Sequence, residues 1–116
     1  MTLLEQAIIS EIAKTNDREF PFINDHIPYL KVKSRRYTGV GVYVNFEYQL
    51  KGMTLNQNFQ NDLLLSGNKE LHLDILKYRL VYVLSISNGR IETLELVTDG
   101  DESWDGNYNS FKFIDP

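Results

Sequence analysis

The sequence predicts an α+β domain, in which an N-terminal helix packs on a mostly antiparallel sheet of five to six strands. Three patterns support this fold class. Apolar residues near the start have helical spacing, nine residues from Val40 to Tyr48 alternate, and an Asn-Gly pair separates two strand-like segments. The chain has 116 residues, so we expect residues 1–116 to form one domain.

The helix is indicated by a capping box, since Thr2 and Glu5 have the spacing at which each side chain accepts a hydrogen bond from the other residue's backbone. Leu4, Ile8 and Ile12 then recur every four residues. We expect about three to four turns, ending near residues 15–17. The prolines in Arg18–Pro28 predict an ordered, extended connector.

The remaining apolar segments predict strands. The longer ones are Tyr29–Arg36, Val40–Tyr48, Tyr78–Ser87 and Arg90–Thr98, and Leu63–Leu65 and Phe111–Phe113 fit short strands. Leu71, Leu73 and Ile75 also alternate with polar residues. The Asn88-Gly89 pair favours a two-residue turn, which would set Ser87 opposite Arg90 and Tyr82 opposite Glu95. The amide-rich residues 56–61 predict a loop or an irregular edge.

Composition limits location and ligand class. The chain has no cysteine, which favours a reducing compartment, the cytosol. The first residues lack the basic start of a signal peptide, and no apolar run approaches the roughly 18 residues of a membrane span. A net charge of −4 argues against general nucleic-acid binding. We therefore expect a cytoplasmic protein that binds neither membrane nor nucleic acid.

Charge is divided along the chain. A basic cluster contains Lys31, Lys33, Arg35 and Arg36, and the interval from Ile91 to Phe111 has six acids and no Lys or Arg. On one strand, Lys31, Lys33 and Arg35 would point the same way and could contact phosphates or an acidic partner. The alternative, which we favour, is that these cations protect a sheet edge from association.

Candidate catalytic and metal-binding residues are sparse. His26 and His72 are 46 positions apart and are expected at the surface. Residues 101–109 match the opening of a calcium loop, but Lys112 stands where a bidentate Glu should close it, so a solvated acidic turn is the favoured interpretation. With no cysteine, nucleophile elbow or phosphate loop, the sequence predicts a protein that is not an enzyme and has no metal site or cofactor.

Two groups of residues are candidates for binding. The first is an acidic, aromatic surface for a protein partner, formed by Asp101, Glu102, Trp104, Asp105 and Tyr108. In the alternative interpretation, Trp104 caps the core. The second is a pocket around Tyr43, Tyr82 and Glu95, where Glu95 either pairs with an Arg (Arg35, Arg36 or Arg79) or serves as a polar group for a small ligand.

Two segments, Tyr37–Phe46 and Asn88–Leu96, carry a family resemblance. They resemble small bacterial proteins of unknown function with a T-G-x-G strand and a later N/D-G-x-(I/L)-x-x-L-E hairpin. Similar proteins occur among the immunity proteins of toxin–immunity systems, including contact-dependent growth inhibition. The resemblance implies a cytosolic protein that binds and blocks a toxin domain, often a basic nuclease. Small-ligand binding, unrecognised catalysis and a homo-oligomeric structural role are the alternatives.

Overall fold

The strands form one antiparallel sheet, described here from a computed structural model that covers residues 1–49 and 62–116. The amide-rich residues 56–61 lie outside that part of the chain. The seven strands of the described residues are β1 (Leu30–Tyr37), β2 (Gly41–Tyr48), β3 (Leu63–Leu65), β4 (Glu70–Leu73), β5 (Leu80–Ser87), β6 (Arg90–Thr98) and β7 (Phe111–Ile114). Their order is β1-β2-β6-β5-β4-β7, and β3 pairs with the second half of β5. The α+β fold class is confirmed.

The N-terminal helix, α1, covers Leu3–Thr15 and begins with the expected capping box. The connector is less extended than the prolines suggested, because it forms a short helix α2 (Phe22–His26) and a 3₁₀ turn (Ile27–Tyr29). Pro21 and Pro28 stand at the starts of these turns, where a missing N–H breaks no helical hydrogen bond. Within the described residues, no helix has the length and apolar character needed to cross a membrane.

Both helices lie on one side of the sheet, here called the inner face. The core lies between these helices and the sheet. The helices contribute Leu4, Ile8, Ile9, Ile12 and Ile23, and the strands contribute Val42, Val44, Leu71, Leu80, Tyr82, Leu84, Ile86, Ile91, Leu94 and Leu96. Each strand contributes every second residue, as a pleated strand must when one face is buried. The opposite side of β1, β2, β6 and β5 is here called the outer face.

Two β-bulges, one in β6 and one in β1, make the observed strand registers differ from the predicted ones. Glu92 is an extra residue in β6, so beyond the turn the pairing shifts and Tyr82 lies opposite Leu96 rather than Glu95. Lys33 is an extra residue in β1, so Arg35 points to the inner face and not to the same side as Lys31. The predicted pairing of Ser87 with Arg90 is confirmed. The predictions for the residues beyond each bulge are wrong, because a bulge reverses the side on which every later residue lies. Among the strands of residues 1–49 and 62–116, β1 lies at an edge, as the edge-protection interpretation of its cations requires.

A close approach between two backbones explains one glycine of the T-G-x-G segment. A Cβ atom added at Gly41 would overlap the backbone carbonyl oxygen of Leu96 in the neighbouring strand β6. At Gly39 a Cβ atom would meet no neighbour, although the φ of +90° there favours glycine. Gly41 is therefore required for the contact between β2 and β6, and Gly39 only for the turn before it.

We expect Gly41→Ala to lower the free energy of unfolding by about 3 kcal/mol, since strand β6 must move to admit one methyl group. The matched variant Gly39→Ala changes the same residue type two positions away and should cost about 1 kcal/mol, from backbone strain alone. Urea denaturation of both variants measures the difference. Equal losses would show that β2 and β6 do not approach as closely at Gly41 as described.

Candidate functional site

The segment from Asp99 to Ser110, here called the acidic loop, is anchored by Trp104. The Trp104 side chain is only 4% exposed, its backbone N–H donates to the carbonyl of Gly39, and its indole Nε1 donates to the carbonyl of Asn107 at 2.7 Å. Trp104 therefore caps the core, as in the second of the two interpretations of its role. The indole is therefore not an exposed anchor for a partner.

Two carboxylates fix the ends of the acidic loop by accepting pairs of backbone hydrogen bonds. Glu102 accepts from the N–H groups of Lys77 and Tyr78, at 2.7 and 3.1 Å. Asp74 accepts from the N–H groups of Asn109 and Ser110, and these bonds lower the Asp74 pKa from its ordinary value. Glu102, one of the predicted contact residues, is thus engaged within the fold.

The acids left at the surface of the acidic loop are Asp99, Asp101 and Asp105. Asp99 pairs with Arg79 at 3.0 Å, and Asp105 accepts hydrogen bonds from the backbone and side chain of Asn107, which lower the Asp105 pKa. Asp101 stands in a left-handed turn with φ of 59°. The residues predicted to form the binding surface therefore differ in exposure. Asp101 and Asp105 are exposed, whereas Trp104 is buried.

Residues 101–109 also matched the opening of a calcium loop. In the described residues, no three His, Cys, Asp or Glu side chains are grouped so that they could hold a metal ion. The Asp105 carboxylate is directed to Asn107, and the Glu102 carboxylate to the turn before β5. The two acids thus face different neighbours within the fold.

A partly buried ion pair that sequence reasoning missed lies beside this loop. Arg35 donates from Nε and Nη2 to the two carboxylate oxygens of Glu5, both at 2.8 Å, and Thr2 N–H donates to the same carboxylate at 2.8 Å. Burial alone would raise the Glu5 pKa, but the hydrogen bonds from Arg35 and Thr2 outweigh it and hold the pKa below its ordinary value. The capping box marked Glu5 as structural, but no local pattern pointed to Arg35, which is 30 positions away.

The ion pair forms one side of a cleft of about 290 Å³ between the start of α1, the end of β1 and the acidic loop. Its floor is apolar and contains Val42, Leu96 and Trp104. Its rim contains Thr2, Arg35, Tyr37, Asn107 and Tyr108. Tyr108 accepts a hydrogen bond from the N–H of Leu4 and so ties the loop to the helix. The cleft thus joins Trp104 and Tyr108, which were predicted as binding residues, with Arg35 of the basic cluster.

The second predicted pocket is not formed. Tyr43 and Glu95 are paired on the outer face, where the Tyr43 hydroxyl donates to the Glu95 carboxylate and this bond raises the Tyr43 pKa. Tyr82 lies on the inner face, 3% exposed, and donates to the carbonyl of Lys69 at 2.6 Å. The sheet separates Tyr82 from the other two residues, and the cause is the bulge at Glu92.

His26 differs from its predicted surface position, since it is 2% exposed and packs against Phe22 and Tyr48. Its Nδ1 lies 2.9 Å from the Tyr48 hydroxyl, which also accepts from the N–H of Ile91 at 2.7 Å. Burial, assisted by the charge of Arg90, lowers the His26 pKa. The neutral ring can then accept the Tyr48 proton, which completes a buried chain of hydrogen bonds. His26 therefore has a structural role.

Comparisons of the chain with protein-family models, with curated proteins and with solved structures found no match.

The ion pair predicts a dependence of stability on pH. Because the folded-state pKa of Glu5 lies below its ordinary value of 4.5, the pair stabilises the fold above that pH. This contribution is lost as the pH falls from 4.5 through the folded-state pKa. We expect Glu5→Gln to lower the free energy of unfolding at pH 7 by about 1–3 kcal/mol and to reduce its further fall in acid.

The measurement is urea denaturation between pH 7 and pH 3. Glu92→Gln is the control, since it removes an exposed carboxylate of the same type. A Glu5→Gln variant that loses stability in acid as steeply as Glu92→Gln would contradict the role given to the ion pair.

Proposed function

We propose that this chain is a non-enzymatic protein-binding module, an immunity protein that binds and neutralises a basic toxin domain in the cytosol. One observation carries the proposal. The acidic loop keeps its backbone fixed by hydrogen bonds at Gly39, at the turn before β5 and at Asp74, while Asp101 and Asp105 stay exposed.

A fixed acidic surface suits a basic partner for two reasons. The charges attract the partner over a distance of about one Debye length and raise the rate of association. Because Trp104, Glu102 and Asp74 already order the loop, little conformational entropy remains to be lost on binding. The distribution of charge supports the same partner, since residues 91–111 contain six acids and no Lys or Arg.

The first experiment tests the proposed partner class. The reading frame that precedes the gene is expressed with and without this protein, and growth is measured. We expect the product of that reading frame to be a basic toxin domain. We expect growth to be restored and the two purified proteins to form a complex. A toxin domain that stays active and unbound would contradict the immunity function.

The second experiment tests the acidic loop as the docking surface, by the double variant Asp101→Asn and Asp105→Asn. Asn tolerates the left-handed φ at position 101 and retains an oxygen that can accept from Asn107 at position 105, so the loop should keep its shape. We expect association with the toxin domain to slow about threefold to tenfold at low salt and its salt dependence to weaken.

The control is the double variant Glu19→Gln and Asp25→Asn, which removes two exposed acids near α2. Both double variants change the net charge by the same amount, so the comparison separates position from total charge. Equal association rates in the two variants would exclude the acidic loop as the docking surface.

A further inference from the structure

The cleft beside the acidic loop combines an apolar floor with a polar rim. Its volume of about 290 Å³ lies at the lower end of the range for ligand pockets, so a single ring with one polar group is the size that fits. The floor of Val42, Leu96 and Trp104 is buried and apolar, and the ring of Tyr37, 56% exposed, forms an open wall. Tyr37 is thus the exposed aromatic surface of the cleft on which a ligand ring can pack.

The rim of the cleft offers several hydrogen-bond donors. A guanidinium has five N–H groups, and Arg35 directs two of them to Glu5. The hydroxyls of Thr2 and Tyr108 each accept a backbone N–H, and among the described residues neither is bonded as a donor. By contrast, the Glu5 carboxylate already accepts three hydrogen bonds. These donors can bind a ligand that carries hydrogen-bond acceptors.

Arg35 is the more exposed member of the ion pair that lines the cleft. Glu5 and Arg35 are the charged residues among those that line the cleft, and their side chains differ in exposure, at 6% for Glu5 and 31% for Arg35. A ligand therefore contacts the guanidinium and not the carboxylate. Because planar guanidinium groups bind carboxylates through parallel N–H bonds, a carboxylate is favoured over a cation or a neutral amide.

We propose that this cleft binds a small aromatic carboxylate, with the ring against the exposed ring of Tyr37, near Trp104, and the carboxylate at Arg35 and Tyr108. This site is separate from the proposed docking of a toxin domain, which uses the exposed acids of the loop. A free aromatic acid and the C-terminal Phe or Tyr of a peptide share this chemistry.

Trp104 provides the signal for the test, because it is the one tryptophan of the chain and lies in the floor of the cleft. Its fluorescence is titrated with phenylacetate, with phenylacetamide and with 2-phenylethylamine, which share a ring and differ in charge. We expect a saturable response to phenylacetate and at least about tenfold weaker binding of the amide and the amine, the effect of one hydrogen bond to a charged group. A non-saturating response, or equal binding of the three probes, would overturn the proposal.

Two variants locate the site without breaking the ion pair. Tyr37→Ala removes the exposed wall and Tyr108→Phe removes one hydroxyl donor, and each should weaken phenylacetate binding about threefold to tenfold. Tyr78→Ala is the control, because Tyr78 is 52% exposed and does not line the cleft. Unchanged binding in Tyr37→Ala and Tyr108→Phe, with thermal unfolding showing that both are folded, would overturn the assignment.

A further arm separates the two sources of the ligand. N-acetyl-Gly-Gly-Phe carries the same ring and carboxylate at the end of a peptide, and it is titrated under the same conditions. Tighter binding than phenylacetate would assign the cleft to a peptide C-terminus, and weaker binding to a free acid. These measurements share no variant with the test of the acidic loop, so either proposal can fail while the other stands.

Discussion

The carboxylate of Glu5 is the group on which the arrangement of the helix, the edge strand and the cleft depends. It caps the start of α1 through Thr2 and pairs with Arg35 of β1 through two bonds of 2.8 Å. A carboxylate this deeply buried is costly unless charge and hydrogen bonds compensate it. The direction of α1 across the sheet is therefore coupled to the bulge in β1, which places Arg35 on the inner face.

The cleft follows from where α1 begins. The helix starts at Leu3, so it leaves the ends of β2 and β6, at Val42 and Leu96, without a helical cover. The acidic loop folds over this end of the sheet instead and inserts Trp104. A loop covers a sheet less completely than a helix does, because its backbone must keep contact with water or polar partners. An apolar floor with a polar rim is the result.

The outer face is stabilised differently, by short polar contacts between neighbouring strands. Thr93 donates to Asn45 at 2.9 Å, Tyr43 donates to Glu95, and the Arg36 guanidinium lies 4.6 Å from the Tyr43 ring centre. Cross-strand pairs of this kind stabilise a sheet without a second layer. The pair of Tyr43 and Glu95 is thus accounted for by strand pairing.

Local sequence patterns determined the elements, and two inserted residues determined which side chains meet. The capping box, the alternation of β2 and the Asn-Gly turn each act over a few residues, so the sequence predicted α1, β2 and the β5–β6 hairpin. The bulges at Lys33 and Glu92 carry no such local signal. Because of them, Arg35 and Glu95 each lie on the side of the sheet opposite to the predicted one. The site missed by sequence reasoning is the one that depends on a bulge and on a contact over 30 positions.

The acidic loop and the cleft share Trp104, which gives them a thermodynamic connection. The indole forms part of the floor of the cleft and, through the carbonyl of Asn107 and the backbone of Gly39, fixes the loop that carries Asp101 and Asp105. A ligand in the cleft would contact Asn107 and Tyr108 of the same loop and so add to the contacts that hold this backbone in place. Coupling between two binding sites is reciprocal. If the ligand strengthens binding of the partner by ordering the loop, the partner strengthens binding of the ligand by the same free energy. The fold therefore provides one rigid element, centred on a buried tryptophan, beneath two surfaces of different chemistry.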